Sequence, residues 1–157
     1  GWALMHVGAL AEALETLRQA VPITELTGAT MDGARANAIL ALAQRENDQL
    51  PQARAHSLSA LTLCTQVGDP WSVATALTSA LVLLAESDDP EQAWILYGML
   101  RQDALCSASR WFADAVDGPL AAARAHLSDE QVDAALVQGS KLDPQSTARA
   151  LAEELAQ

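Results

Sequence analysis

The chain has 157 residues, enough for one domain with a sizeable core. Half of them are hydrophobic, mostly Ala and Leu, with one Tyr and one Phe, a composition that favours helices over sheet. The net charge of −11 argues against a nucleic-acid backbone as partner, since that needs clustered Lys and Arg.

Residues 1–7 contain no start signal. Three stretches share one design, a polar turn followed by an alanine that opens a helix: Gly8-Ala-Leu-Ala-Glu-Ala13, Asp48-Gln-Leu-Pro-Gln-Ala53 and Asp88-Asp-Pro-Glu-Gln-Ala93. Their closing alanines are 40 residues apart each time (53 − 13 and 93 − 53), and Gly28 and Gly68 keep the same interval. A fixed period in this range marks stacked helical repeats. By that offset Trp2-Ala-Leu-Met5 falls on the last turns of helices, so the expectation is a chain that begins inside a truncated first repeat.

After Gly8, Leu10, Ala13, Leu14, Leu17 and Val21 form one amphipathic stripe. Pro22 is expected to kink or loosen that helix near Arg18, and Gly28 to end it. The next helix is expected from about Met31 to Arg45, with Ala36, Ile39, Leu40 and Ala43 on one face. Pro51 opens a third, carrying Ala53, Leu58, Leu61 and Val67 and ending at Gly68. Asp69-Pro70 supplies an N-cap and a first-turn proline for a fourth, running to about Glu86. The same Asp-Pro pattern at 89–90 launches a fifth through Trp94, Leu96, Tyr97 and Leu100.

The last third departs from the period. A helix around Ala108–Val116 is expected to break at Asp117-Gly-Pro119 and resume through His126. Ser128-Asp-Glu-Gln131 reads as a capping box for a helix with Val132, Leu136 and Val137, ending at Gly139. Asp143-Pro144 opens the final helix, striped by Ala148, Leu151, Ala152 and Leu155. The expected architecture is all-α, a right-handed stack of antiparallel helix pairs over 1–106. Residues 107–157 are expected to be capping helices of the same domain, because the open end of a stack needs a polar outer face.

The stretches Gly68-Asp-Pro-Trp-Ser-Val-Ala-Thr-Ala-Leu77 and Asp88-Asp-Pro-Glu-Gln-Ala-Trp-Ile-Leu-Tyr-Gly98 carry a family resemblance, as do Ala122-Ala-Arg-Ala-His-Leu-Ser128, Ala134-Ala-Leu-Val-Gln-Gly139 and Leu142-Asp-Pro-Gln-Ser146. Together, from about Gly8 to Leu155, the chain resembles the C-terminal tetratricopeptide-like region of actinobacterial LuxR-type, MalT-like signal-transduction ATPases. The resemblance implies the sensor or protein-interaction arm of such a regulator, attached to an upstream ATPase module, and it transfers no catalytic residue. No phosphate-binding G-x-x-x-x-G-K-[ST] loop and no basic recognition helix occur in this sequence. The 40-residue interval exceeds the roughly 34 of standard tetratricopeptide repeats, and their W-x-x-L-G-x-x-Y signature is missing. The longer interval is read as helices of the MalT-like type, with a HEAT-like stack as the alternative.

Chemistry is sparse. His6, His56 and His126 lack metal-ligand spacing. Asp129, Glu130 and Asp133 sit in the first turns of a helix, where acids complement its dipole, and Asp88-Asp89 before Pro90 are read the same way. Cys64 and Cys106 read as buried free thiols of a reducing, cytoplasmic compartment. No apolar run approaches the roughly 20 residues of a membrane span. Neither a cofactor nor an enzyme is expected.

Arrays of this kind bind on the concave side, lined by the first helix of each pair. Placing Ala36, Leu40 and Ala43 in the core turns Arg35, Ala38 and Leu42 toward an adjoining face. The 40-residue offset adds Thr75, Thr78 and Val82, and Trp71 is a further candidate for the groove wall. An Arg beside two hydroxyls would receive an acidic peptide or a small anion. Trp71, Trp94 and Trp111 otherwise serve as gap fillers between alanine-rich helices. The two functional readings are thus a binding or sensing arm for a protein, peptide or small ligand, and a self-association module forming a homodimer. Neither involves nucleic acid or membrane.

Overall fold

In a computed structural model of the chain, Met5 and residues 8–156 are described. Among the described residues the protein is a multi-helix bundle without strands. From Leu10 onward the order is α1 (Leu10–Thr27), α2 (Thr30–Glu46), α3 (Leu50–Val67), α4 (Pro70–Leu84), α5 (Glu91–Leu100), α6 (Ala104–Ser107), α7 (Arg110–Arg124), α8 (Asp129–Gly139) and α9 (Pro144–Leu155). Met5 is helical and packs, half-buried, beside the core; Trp2, Ala3 and Leu4 of the expected first helix lie outside the described residues.

The helix ends follow from local chemistry. Gly8, Gly28, Asp48 and Gly68 all adopt left-handed backbone, with φ of 76°, 68°, 56° and 69°. They lie 20 residues apart (28 − 8, 48 − 28, 68 − 48). That conformation suits glycine, which has no Cβ to clash, and among other residues an Asp tolerates it best. Asp69 caps α4 and Asp143 caps α9, each accepting from the backbone N–H three residues on. Ser128 and Gln131 form the expected reciprocal capping box at 3.2 and 2.9 Å.

α1 runs through Pro22 to Thr27 and ends at Gly28, as expected. Two expectations change. α5 starts without a side-chain cap: Pro90 itself is the N-cap, and the Asp89 N–H donates to the Ser87 hydroxyl. α7 does not break at Asp117-Gly118-Pro119 but runs on to Arg124 with Pro119 buried. A proline crowds the Cβ of the residue before it in helical geometry, and Gly118 has none. The space outside Gly118 is open, so that glycine serves its proline rather than a packing contact.

α4 is the centre of the bundle. Residues Ser72 through Val82 are all buried, and α4 packs against α2, α3, α5, α6, α7 and α9. One apolar cluster runs from Ala34 of α2 through α3, α4, α5 and α7 to Ala148 of α9. A second joins Leu14, Leu17 and Val21 of α1 to Leu40 and Ala43 of α2. α2 is therefore buried on two sides. α9 folds back onto α3 and α4, with Gln145 Nε2 donating to the Thr65 carbonyl at 3.2 Å.

α5 and α8 touch backbone to backbone. A Cβ on Gly98 would stand 2.7 Å from the Leu136 carbonyl oxygen, and one on Gly139 would fall on the carbonyl of Ile95. Gly139 is the last residue of α8, the end expected for that helix, and it also allows this close approach. Gly139→Ala should cost about 1–3 kcal/mol through overpacking, lowering the melting temperature by roughly 2–4 °C per kcal/mol. A thermal melt unchanged from the wild type would show that the two helices do not meet at this glycine.

Candidate functional site

The expected groove does not form at its expected place. Ala38, Leu42, Thr75, Thr78 and Val82 are brought together, but inside the main core, with Ala38 and Thr78 at 0% exposure. The reason is that α2 and α4 are apolar on more than one face, and a helix apolar around most of its girth is buried. The threonines bear burial because each hydroxyl donates to a carbonyl one turn back, Thr75 to Trp71 at 2.6 Å and Thr78 to Ala74 at 2.7 Å. Ser79 does likewise with Ala76, and its hydroxyl also lies 2.9 Å from that of Ser57 across the α3–α4 seam. Satisfied in this way, the hydroxyls are unavailable to a ligand.

Arg35 and Trp71 remain near the surface. The Arg35 guanidinium donates to the Asp69 carboxylate at 2.8 Å and to the Ser72 hydroxyl at 3.2 Å, tying α2 to the N-cap of α4. Its charge is thus already used. The Asp69 carboxyl is held below the ordinary carboxylate range by the Ser72 hydroxyl first, then by Arg35 and the Ser72 backbone N–H. Trp71 is half-buried with its ring centroid 5.5 Å from that of Trp111. Each is the second residue of its helix. Trp94 stands edge-on to Tyr97 at 5.7 Å, and Tyr97 stacks on Phe112 at 6.1 Å.

His56, Cys64 and Cys106 occupy structural positions. His56 donates through Nδ1 to the Asn37 side-chain oxygen at 2.8 Å, and the Asn37 amide donates to the Gly33 carbonyl. Partial burial lowers the His56 pKa, favouring the neutral ring. His6 lies outside the described residues. Burial pushes the Cys64 thiol up to about 11, and burial together with Asp103 pushes Cys106 up to about 12. Among the described residues no group of three or more His, Cys, Asp or Glu is placed to hold a metal ion. No helix among them is long and apolar enough to cross a membrane.

Several clefts open on the surface, two of them of several hundred Å³. One, of about 590 Å³, lies between the α4–α5 turn and the end of α7; it is lined by Glu86, Asp88, Asp89, Glu91 and His126 among others. Glu86 there is paired with Arg45. The other, of about 400 Å³, lies where α3, the end of α4 and the end of α9 meet. Leu58, Ala80, Leu83, Leu84 and Leu155 form its apolar walls, with Arg54 the single charged residue lining it. Sequence reading missed this second cleft because Leu155 reaches it only through the fold-back of α9. The available signal was a surplus of leucines, Leu83 and Leu84, beyond what the α4 stripe needs.

Comparison of the chain with family models, with curated proteins and with solved structures gave no match. The geometry above therefore carries the functional reading.

Asp69→Ala should cost about 1 kcal/mol near neutral pH through loss of the cap. Because the native carboxyl titrates below its unfolded counterpart, its contribution is complete above the ordinary carboxylate range and is lost as the pH falls through the lowered native value. Urea melts of both proteins should accordingly converge on acidification; a constant gap would remove the charged role of Asp69. Both thiols should resist a chromogenic disulfide reagent in the native protein at neutral pH and react on denaturation. Rapid native labelling of either would contradict their burial.

Proposed function

We propose that this chain is a non-catalytic helical-repeat arm that binds a partner or ligand, of the kind carried by LuxR-type, MalT-like regulators. The observation that carries the reading is the recurrence of one geometry. Left-handed turns fall at 8, 28, 48 and 68, and α2, α4 and α7 begin at Thr30, Pro70 and Arg110, 40 residues apart (70 − 30 and 110 − 70). α4 packs against both α2 and α7, as successive first helices do in a stacked array. Three helix starts at equal intervals support the repeat reading. Helical arrays of this type offer rigid surfaces rather than reactive groups.

In a regulator with an upstream ATPase module, such an arm would act by differential affinity. A ligand that binds one state of the whole protein better than another shifts the population toward it. One observation favours a second reading, self-association. Ile23, Leu26 and Met31 are exposed at 58%, 87% and 40% around the α1–α2 turn, an apolar edge of the sort that packs on a second copy.

Sedimentation of the chain over a concentration series, followed by thermal-shift screening, separates the two. The binding-arm reading expects the mass of one chain at low micromolar concentration and stabilisation by a peptide or small ligand. A dimer that persists there, and is lost on Leu26→Asp, would replace it with the self-association reading.

A further inference from the structure

We infer that the cleft between α3, α4 and the end of α9 is a binding site for a linear aliphatic carboxylate. This rests on the binding-arm reading and gives it a ligand class. At about 400 Å³ the cleft falls in the size range of small-molecule sites. Its walls are aliphatic: Leu58 from α3, Ala80, Leu83 and Leu84 from α4, and Leu155 from α9. Such walls take an alkyl chain by burial of apolar surface.

The polar groups of the cleft narrow the choice further. The Ser57 hydroxyl is paired with Ser79 at 2.9 Å. The Ser87 hydroxyl donates to the Leu84 carbonyl at 2.8 Å and accepts from the Asp89 N–H at 3.2 Å. With both serines engaged, the cleft offers little to a sugar or a nucleoside, whose many polar groups would be left unpaired. Arg54 differs. Of the arginines that no ion pair engages among the described residues, Arg54 is the one that lines this cleft; Arg35, Arg45, Arg110 and Arg124 each hold an acid. In a chain with 20 Asp and Glu, an uncommitted guanidinium beside an apolar cleft selects an anionic head group. A carboxylate answers its paired N–H donors.

The probe is decanoate, held below its micellar concentration and titrated into the whole chain by calorimetry and methyl NMR. We expect saturable binding of one decanoate per chain, with shifts at Leu58, Leu83, Leu84 and Leu155. Arg54→Gln should weaken binding about tenfold, the loss of one charge-assisted contact, and decanol should bind the wild type more weakly than decanoate. Arg54 and Ala55 are both exposed, so these variants spare the core, and Ala55→Trp should block the cleft. No saturable binding, or binding that neither variant alters, would overturn the site. Failure of decanoate alongside a monomeric chain that another ligand stabilises would remove this ligand class and leave the binding arm standing. A stable dimer in the sedimentation series would instead remove the binding-arm reading.

Discussion

The structure depends on burying a helix that carries polar groups. α4 contributes Ser72, Thr75, Thr78 and Ser79 to the interior, and an unpaired buried hydroxyl costs on the order of 1–3 kcal/mol. Three solve this within their own helix by donating to a carbonyl three or four residues back, and Ser72 donates to Asp69, the cap of the same helix. With that cost met internally, α4 accepts neighbours on almost every side. The two-sided burial of α2, the docking of α7 and the return of α9 all rest on this.

The same arrangement explains where polar contacts between helices are concentrated. The Arg35–Asp69–Ser72 cluster joins two helix starts, and the Arg45–Glu86 pair joins two helix ends. Both lie between α2 and the α4 region at partly exposed positions, where charges keep some hydration and ion pairs contribute modestly. The interior between them is largely aliphatic and alanine-rich, with Asn37, Gln44, Thr75, Thr78 and Ser79 among its buried polar residues. Small side chains let helices approach closely, and α5 and α8 carry this to its limit at Gly98 and Gly139.

Helix existence and most boundaries were legible in the sequence because they rest on local chemistry: glycines at left-handed turns, Asp before Pro70 and Pro144, and the Ser128–Gln131 box. Gly139 ends α8 as read, but its close approach to Ile95 was not legible, because a glycine that permits backbone contact looks the same as one that ends a helix. Pro119 misled because Gly118 removes the crowding that normally breaks a helix before proline. The groove residues Ala38, Leu42, Thr75, Thr78 and Val82 were misplaced for a different reason. Periodicity shows which residues share a face, not how many faces are covered. Nor does it show that α9, 80 residues beyond Thr65, returns to build one wall of a cleft.

That return has a consequence for the order of folding. Most contacts in the bundle join helices near one another in sequence, and such contacts close cheaply and early. The seat of α9 on α3 and α4 closes a long loop whose entropy must be met before its contacts contribute. On the ribosome, residues 50–84 leave the exit tunnel well before residues 144–155. During that interval the flank of α3 and α4 stands uncovered, and the leucines beside Arg54 lack one wall of their cleft. Completion of that cleft therefore waits for the synthesis of α9, so a nascent chain that has not reached residue 144 lacks one of its walls.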